Sequence, residues 1–147
     1  MKTVISDAMQ KAHPNLEGVL WRTACMAKEQ DNDIMISGLL VRIVKSKDLY
    51  WTGSADPHEE SILYKKKLIH PAGRIDLRLT TGMIQRSIVV LFAHELKHIG
   101  QFHRGRKKNG VLSVEGADYL IEEDCILFEK QIAEAVMGGT QINRGTS

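Results

Sequence analysis

One run constrains this chain more than any other: Ile88-Val89-Val90-Leu91-Phe92-Ala93-His94-Glu95-Leu96-Lys97-His98-Ile99. It is apolar, free of glycine, and carries His94-Glu95-Leu96-Lys97-His98, an H-E-x-x-H pattern. On a helix, residues four apart share a face, so His94 and His98 can hold one metal ion. Imidazole nitrogen suits Zn²⁺ at about 2.0–2.1 Å. Glu95, the next residue along, is placed to act as general base toward a water that the metal activates. A catalytic zinc takes three protein ligands and keeps one position open. The rest of the chain must therefore bring one more donor to this helix.

At 147 residues the chain is long enough to bury a core without disulfides and reads as one domain over 1–139, with a flexible tail over 140–147. Hydrophobic content of 43 % and charged content of 26 % are those of a soluble globular protein. The formal charge of +2 gives no global field toward nucleic acid or membrane. Cys25 and Cys125 have no partner spacing and read as reduced, buried thiols. No signal peptide or membrane-length apolar run is present, so a cytoplasmic address is expected.

Residues 3–12 read as a short helix stopped by His13-Pro14. A second helix runs to about Lys28, with Leu16, Val19, Leu20, Ala24 and Ala27 on one stripe and Trp21 counted with the core. Residues 34–44 are rich in β-branched side chains and read as a strand bent at Gly38. Leu49 to Thr52 is a shorter strand, with a loop from Gly53 to Pro57. Ser61 to His70 is a third strand candidate; Arg74 to Thr80 alternates polar and apolar and is a fourth. The motif helix follows, from Thr81 to about Arg104, and a last helix runs from Ser113 to about Val136, stopped by Gly138-Gly139. Helices, then strands, then helices make an α+β layout rather than a βαβ one.

Several downstream residues can supply the third ligand. His103 lies five residues past His98, about 500° around a continuing helix, and so points away from it. The last helix offers Glu115, Glu122 and Glu123, with Asp118 nearby. Segment Glu122-Glu123-Asp124-Cys125-Ile126-Leu127-Phe128 resembles the glutamate helix of gluzincin metallopeptidases, where the ligand glutamate has a small residue three on and an aromatic six on. Gln101 and Phe102 strengthen the likeness, since H-E-x-x-H-x-x-Q followed by an aromatic is a frequent gluzincin ending.

A chain this short resembles the minigluzincins. That resemblance implies a zincin-like fold with N-terminal helices, a small, mostly antiparallel sheet, an active-site helix and a glutamate helix. It implies one Zn²⁺ per chain on His94, His98 and Glu122, with Glu95 catalytic. It makes Arg74–Thr80 the edge strand, with Ile75, Asp76 and Leu77 meeting an extended peptide. Many gluzincins carry an Asp four residues past the ligand Glu to orient a zinc-bound histidine. Here that position is Ile126, which leaves Asp118 as a substitute; Glu123 and Glu129 read as solvated. Tyr119 is a candidate oxyanion partner, while His58 and His70 lie in loop-like sequence. Minigluzincins can be latent, which would set residues 1–13 or the tail in the cleft. The alternative is a DNA-associated protease of the SprT type, or a zinc-structured nucleic-acid-binding module. It rests on Lys65-Lys66-Lys67 and on Arg104, Arg106, Lys107 and Lys108 beside the motif.

Overall fold

The computed structural model describes residues 1–47, 50–56, 62–64, 66–69, 73–109 and 118–142. In chain order these form β1 (Lys2–Ile5), α1 (Asp7–Ala12), α2 (Leu16–Gln30), β2 (Leu39–Lys45), β3 (Thr52–Asp56), β4 (Ile62–Tyr64), β5 (Lys67–Ile69), β6 (Gly73–Leu79), α3 (Gln85–Asn109) and α4 (Asp118–Ile142). The α+β class is present. No helix among the described residues is long and apolar enough to cross a membrane.

The main sheet has the order β1-β2-β6-β3. β1 pairs parallel with β2, and β2 parallel with β6, with Val41 opposite Ile75 and Ile43 opposite Leu77. Only β3 runs antiparallel, with Gly53 opposite Leu77. This corrects the expected mostly antiparallel sheet. One parallel pair comes from the strand at Lys2–Ile5, where β-branched Thr3, Val4 and Ile5 outweigh the helical reading of 3–12, and the other from β6, which returns beside β2 in the same direction. β1 and β2 flank α1 and α2 as a parallel crossover.

Two further boundaries move. The strand expected over 34–44 begins at Leu39, because Gly38 takes φ 80° and turns the chain there. The strand expected at Leu49–Thr52 lies instead over Thr52–Asp56, where a loop was expected. The third candidate is a hairpin of β4 and β5, turned at Lys66 with φ 66°. His58 and His70 lie outside the described residues.

One face of the sheet is covered and the other open. Leu39, Val41, Ile43, Ile75, Leu77 and Leu79 are buried against the helices. The opposite face carries Arg42 and Arg74, both paired with Asp76 at 2.7 and 2.9 Å. The buried stripe of α2 is the one its periodicity predicts, with Thr23 added, but Trp21 is 52 % exposed and not in the core.

α3 is the centre of the fold: from Gln85 to Gly105 no residue is exposed. Ile88, Phe92, Leu96 and Ile99 enter the core, while Phe128, Ile132 and Ala133 of α4 and Leu20, Ala24 and Ala27 of α2 pack around it. α4 continues to Ile142 but leaves helical geometry at Met137, immediately before the expected Gly138-Gly139 stop. β1 forms the edge opposite β3, so residues 2–5 are held in the sheet rather than beside the motif.

A charged clamp fixes α3 to the loop after α2. Asp31 accepts from Lys97 Nζ at 2.7 Å and from Arg104 at 3.1 Å, and Arg104 also donates to Asp33. Gly100 lets that loop approach, since a Cβ there would lie 3.0 Å from both Asp31 Oδ2 and Ile34 Cγ1. Burial alone would raise the Asp31 carboxyl. Hydrogen bonds from Lys97 and the Asp33 N–H, and the charges of Lys97 and Arg104, outweigh it and hold the pKa below 3.8. A lowered carboxylate pKa contributes stability above its unfolded value and loses it as pH falls through the folded value. Asp31→Asn should therefore cost about 2–4 kcal/mol at neutral pH by leaving Lys97 unpaired. In urea unfolding of metal-free protein, that gap from wild type should shrink as pH is lowered below 4. A gap independent of pH would assign the loss to packing instead.

Candidate metal centre

His94 and His98 stand one turn apart on α3, with ring centroids 5.1 Å apart and planes at 69°. Each presents Nε2 to α4. Glu122 Oε2 lies 3.0 Å from His94 Nε2, and Oε1 lies 2.9 Å from His98 Nε2, so one carboxylate meets both rings. Sequence reasoning on residue types three and six beyond Glu122 is matched locally: Cys125 and Phe128 are both buried, and they seat α4 against α3.

The far sides of both rings are also engaged. His94 Nδ1 is 2.8 Å from Glu129 Oε2, and His98 Nδ1 is 2.9 Å from Gln101 Oε1. Those oxygens accept, so each ring donates its Nδ1–H and turns the Nε2 lone pair toward Glu122. A lone pair facing a carboxylate at 3 Å requires a proton or a cation between them. This pattern, with backing acceptors fixing the tautomer, is how metal-ligating histidines are oriented. A tetrahedral ion with ligands at about 2.0–2.1 Å would space them about 3.3 Å apart, close to the separations present here. The residues fit a metal ion.

Cys125 belongs to the same cluster. Among the described residues, His94, His98 and Cys125 form a group whose donor atoms lie close enough to hold a metal. Its sulfur is 3.6 Å from both Nδ1 and Nε2 of His98, so it lies along the lone pair of neither. Burial, with Glu122 and Glu95 nearby, pushes the thiol up to about 12.

Glu95 lies close to β3 and is 5 % exposed. A Cβ on Gly53 would lie 2.9 Å from Glu95 Oε2, 3.0 Å from Leu77 Cδ2 and 3.1 Å from Leu91 Cδ1. Only a residue without a side chain lets β3 run this close to the motif helix. Burial pushes the Glu95 carboxyl up, His94 and His98 work against that, and Glu122 and Glu129 reinforce it. A cleft of about 400 Å³ opens beside His94 and Glu95, walled by Trp51, Val90 and Leu91, with Arg86 at its end.

Other expected residues fall elsewhere. Ile75 and Leu77 are fully buried, and Asp76 sits on the open face. They belong to a strand bonded on both sides, so they cannot be the edge that meets a peptide; β3 is the edge. His103 is buried on the same unbroken helix, outside the cluster. Glu123 and Ile126 are exposed. Glu115 lies outside the described residues, as do the side chains of Asp118, Tyr119, Arg106, Lys107 and Lys108. Arg104 is engaged with Asp31 and Asp33.

Glu129 is the residue that sequence reasoning missed. The orienting carboxylate stands seven residues after Glu122 rather than four. The signal was there, because 122, 125, 129 and 132 follow one helical stripe. Glu129→Ala should weaken Zn²⁺ binding about 10–100-fold with the helical circular dichroism unchanged. Competition with a zinc-chelating dye measures this, and an unchanged affinity would remove Glu129 from the site.

No family model, curated protein or solved structure matches this chain.

Proposed function

We propose that this chain is a zinc-dependent peptidase of the gluzincin kind, with Zn²⁺ held by His94, His98 and Glu122. The observation that carries the reading is the single carboxylate of Glu122 against both Nε2 atoms, with Glu129 and Gln101 backing the rings. Cys125 is the rival third ligand. Its sulfur, equidistant from both ring nitrogens of His98, favours a role as the small buried residue that lets the helices approach.

Bound there, the ion would supply Lewis-acid polarisation of a carbonyl and a water of lowered pKa. The protein's own part is proton transfer and positioning. Glu95 takes the proton from the attacking water as its oxygen bonds to the carbonyl carbon, then delivers it to the amine nitrogen as the C–N bond breaks. An extended peptide would add to the outer edge of β3, which no other strand among the described residues covers, through main-chain hydrogen bonds and lay a side chain into the cleft by Trp51 and Leu91.

Three variants separate the roles. Glu95→Gln should retain one zinc per chain and lose peptide hydrolysis by at least about 100-fold. Glu122→Ala should lose the zinc itself, whereas Cys125→Ala should keep both zinc and activity. Elemental analysis alongside cleavage of a mixed peptide library reads all three. Zinc kept in Glu122→Ala but lost in Cys125→Ala would overturn the ligand set. Hydrolysis surviving in Glu95→Gln would overturn the mechanism.

A further inference from the structure

The cleft beside the metal centre contains a charge that the proposed chemistry does not use. Arg86 is half-buried in the first full turn of α3 and lines the same cleft as Trp51, Leu91 and Glu95. Among the described residues no carboxylate pairs with its guanidinium. Two carboxylates share the cleft wall: Glu129 is held by His94 Nδ1 at 2.8 Å, and Glu95 lies against Gly53 of β3. The first turn of α3 carries no acidic residue either, so its backbone N–H groups add positive potential at the same end. A half-buried guanidinium at the end of an apolar cleft suits a ligand with an apolar group and a carboxylate.

We propose that Arg86 is a carboxylate anchor for the substrate, which gives the site a preference for peptides with a negative charge a few residues from the bond that is cut. As a statement about substrates this rests on the peptidase reading; as a statement about a ligand it does not. Arg86 and His94 are eight residues apart, about 12 Å along the helix axis. An extended chain covers that distance in about three or four residues. The apolar wall of Trp51, Val90 and Leu91 lies between, where it would take an aromatic or aliphatic side chain. The carboxylate can come from an acidic side chain or from the chain's own C-terminus.

Binding is tested first without turnover. In a Trp21→Phe background Trp51 is the sole tryptophan, since the chain has two, and its fluorescence reports the cleft directly. Metal-free and zinc-loaded protein are titrated with 3-phenylpropionate and with its neutral amide. The acid should give saturable quenching at least tenfold tighter than the amide in both forms. Arg86→Gln should abolish the difference, and Arg86→Lys should restore part of it. Equal binding of acid and amide, no saturable change with either, or a preference unchanged in folded Arg86→Gln would each overturn the anchor.

The second arm uses zinc-loaded protein and peptides with an acidic side chain, an amidated end or a free end. The expected result is a tenfold or larger fall in kcat/KM when the carboxylate is removed, absent in Arg86→Gln. Which peptide responds identifies the source. Cleavage indifferent to carboxylate and to Arg86 would overturn the anchor and leave the peptidase standing. Intact binding selectivity with no cleavage of any peptide would support the anchor and count against the peptidase.

Discussion

A helix packed closely along most of its length can leave few of its polar groups to water. Each of the others must find a partner in the protein or cost on the order of a lost hydrogen bond. From Gln85 to Gly105 α3 shows no exposed residue, yet it carries His94, Glu95, Lys97, His98, Gln101 and Arg104 in its middle. Around the helix, Asp31 and Asp33 take Lys97 and Arg104, Glu129 takes His94, and Gln101 takes His98. The neighbours of α3 are thus selected twice, by apolar fit and by donor–acceptor matching. Lys97 shows both at once, with its ammonium on Asp31 and 5.0 Å from the centre of the Phe128 ring.

That matching leaves an imbalance on one side. Glu95, Glu122 and Glu129 surround two imidazoles whose Nδ1 protons are already committed, and Lys97 is turned away toward Asp31. Three carboxylates around two neutral rings repel unless positive charge sits among them. A cation held between the two Nε2 atoms and Glu122 would supply it. The electrostatics and the ligand geometry therefore converge on the same point between α3 and α4.

The parts of this arrangement that were legible from the sequence are those set by a local period. The H-E-x-x-H helix, the α2 stripe, the alternation of β6 and the Cys125–Phe128 spacing beyond Glu122 all follow from which positions share a face. What was not legible depends on where an element lands. Strict alternation in β6 speaks equally for an edge or an interior strand, because it reports two faces and says nothing of the two sides. Lys2–Ile5 is too short to distinguish a strand from a helix start until β2 lies beside it. Glu129 reads as solvated in sequence because the gluzincin spacing puts the orienting carboxylate four residues past Glu122, and here it stands about a turn further along the stripe.

β3 is the most instructive failure. Thr52-Gly53-Ser54-Ala55-Asp56 has the composition of a loop, and after Thr52 nothing in its propensities argues for a strand. Its residues are small on the inner face because α3 lies against them: Gly53 faces Glu95, Leu77 and Leu91, and Ala55 packs on the core. A larger residue at 53 would have made the strand easier to read and would have pushed Glu95 out of its place. The close approach that sets the buried carboxylate beside the two histidines is therefore the reason the strand supporting it does not look like one.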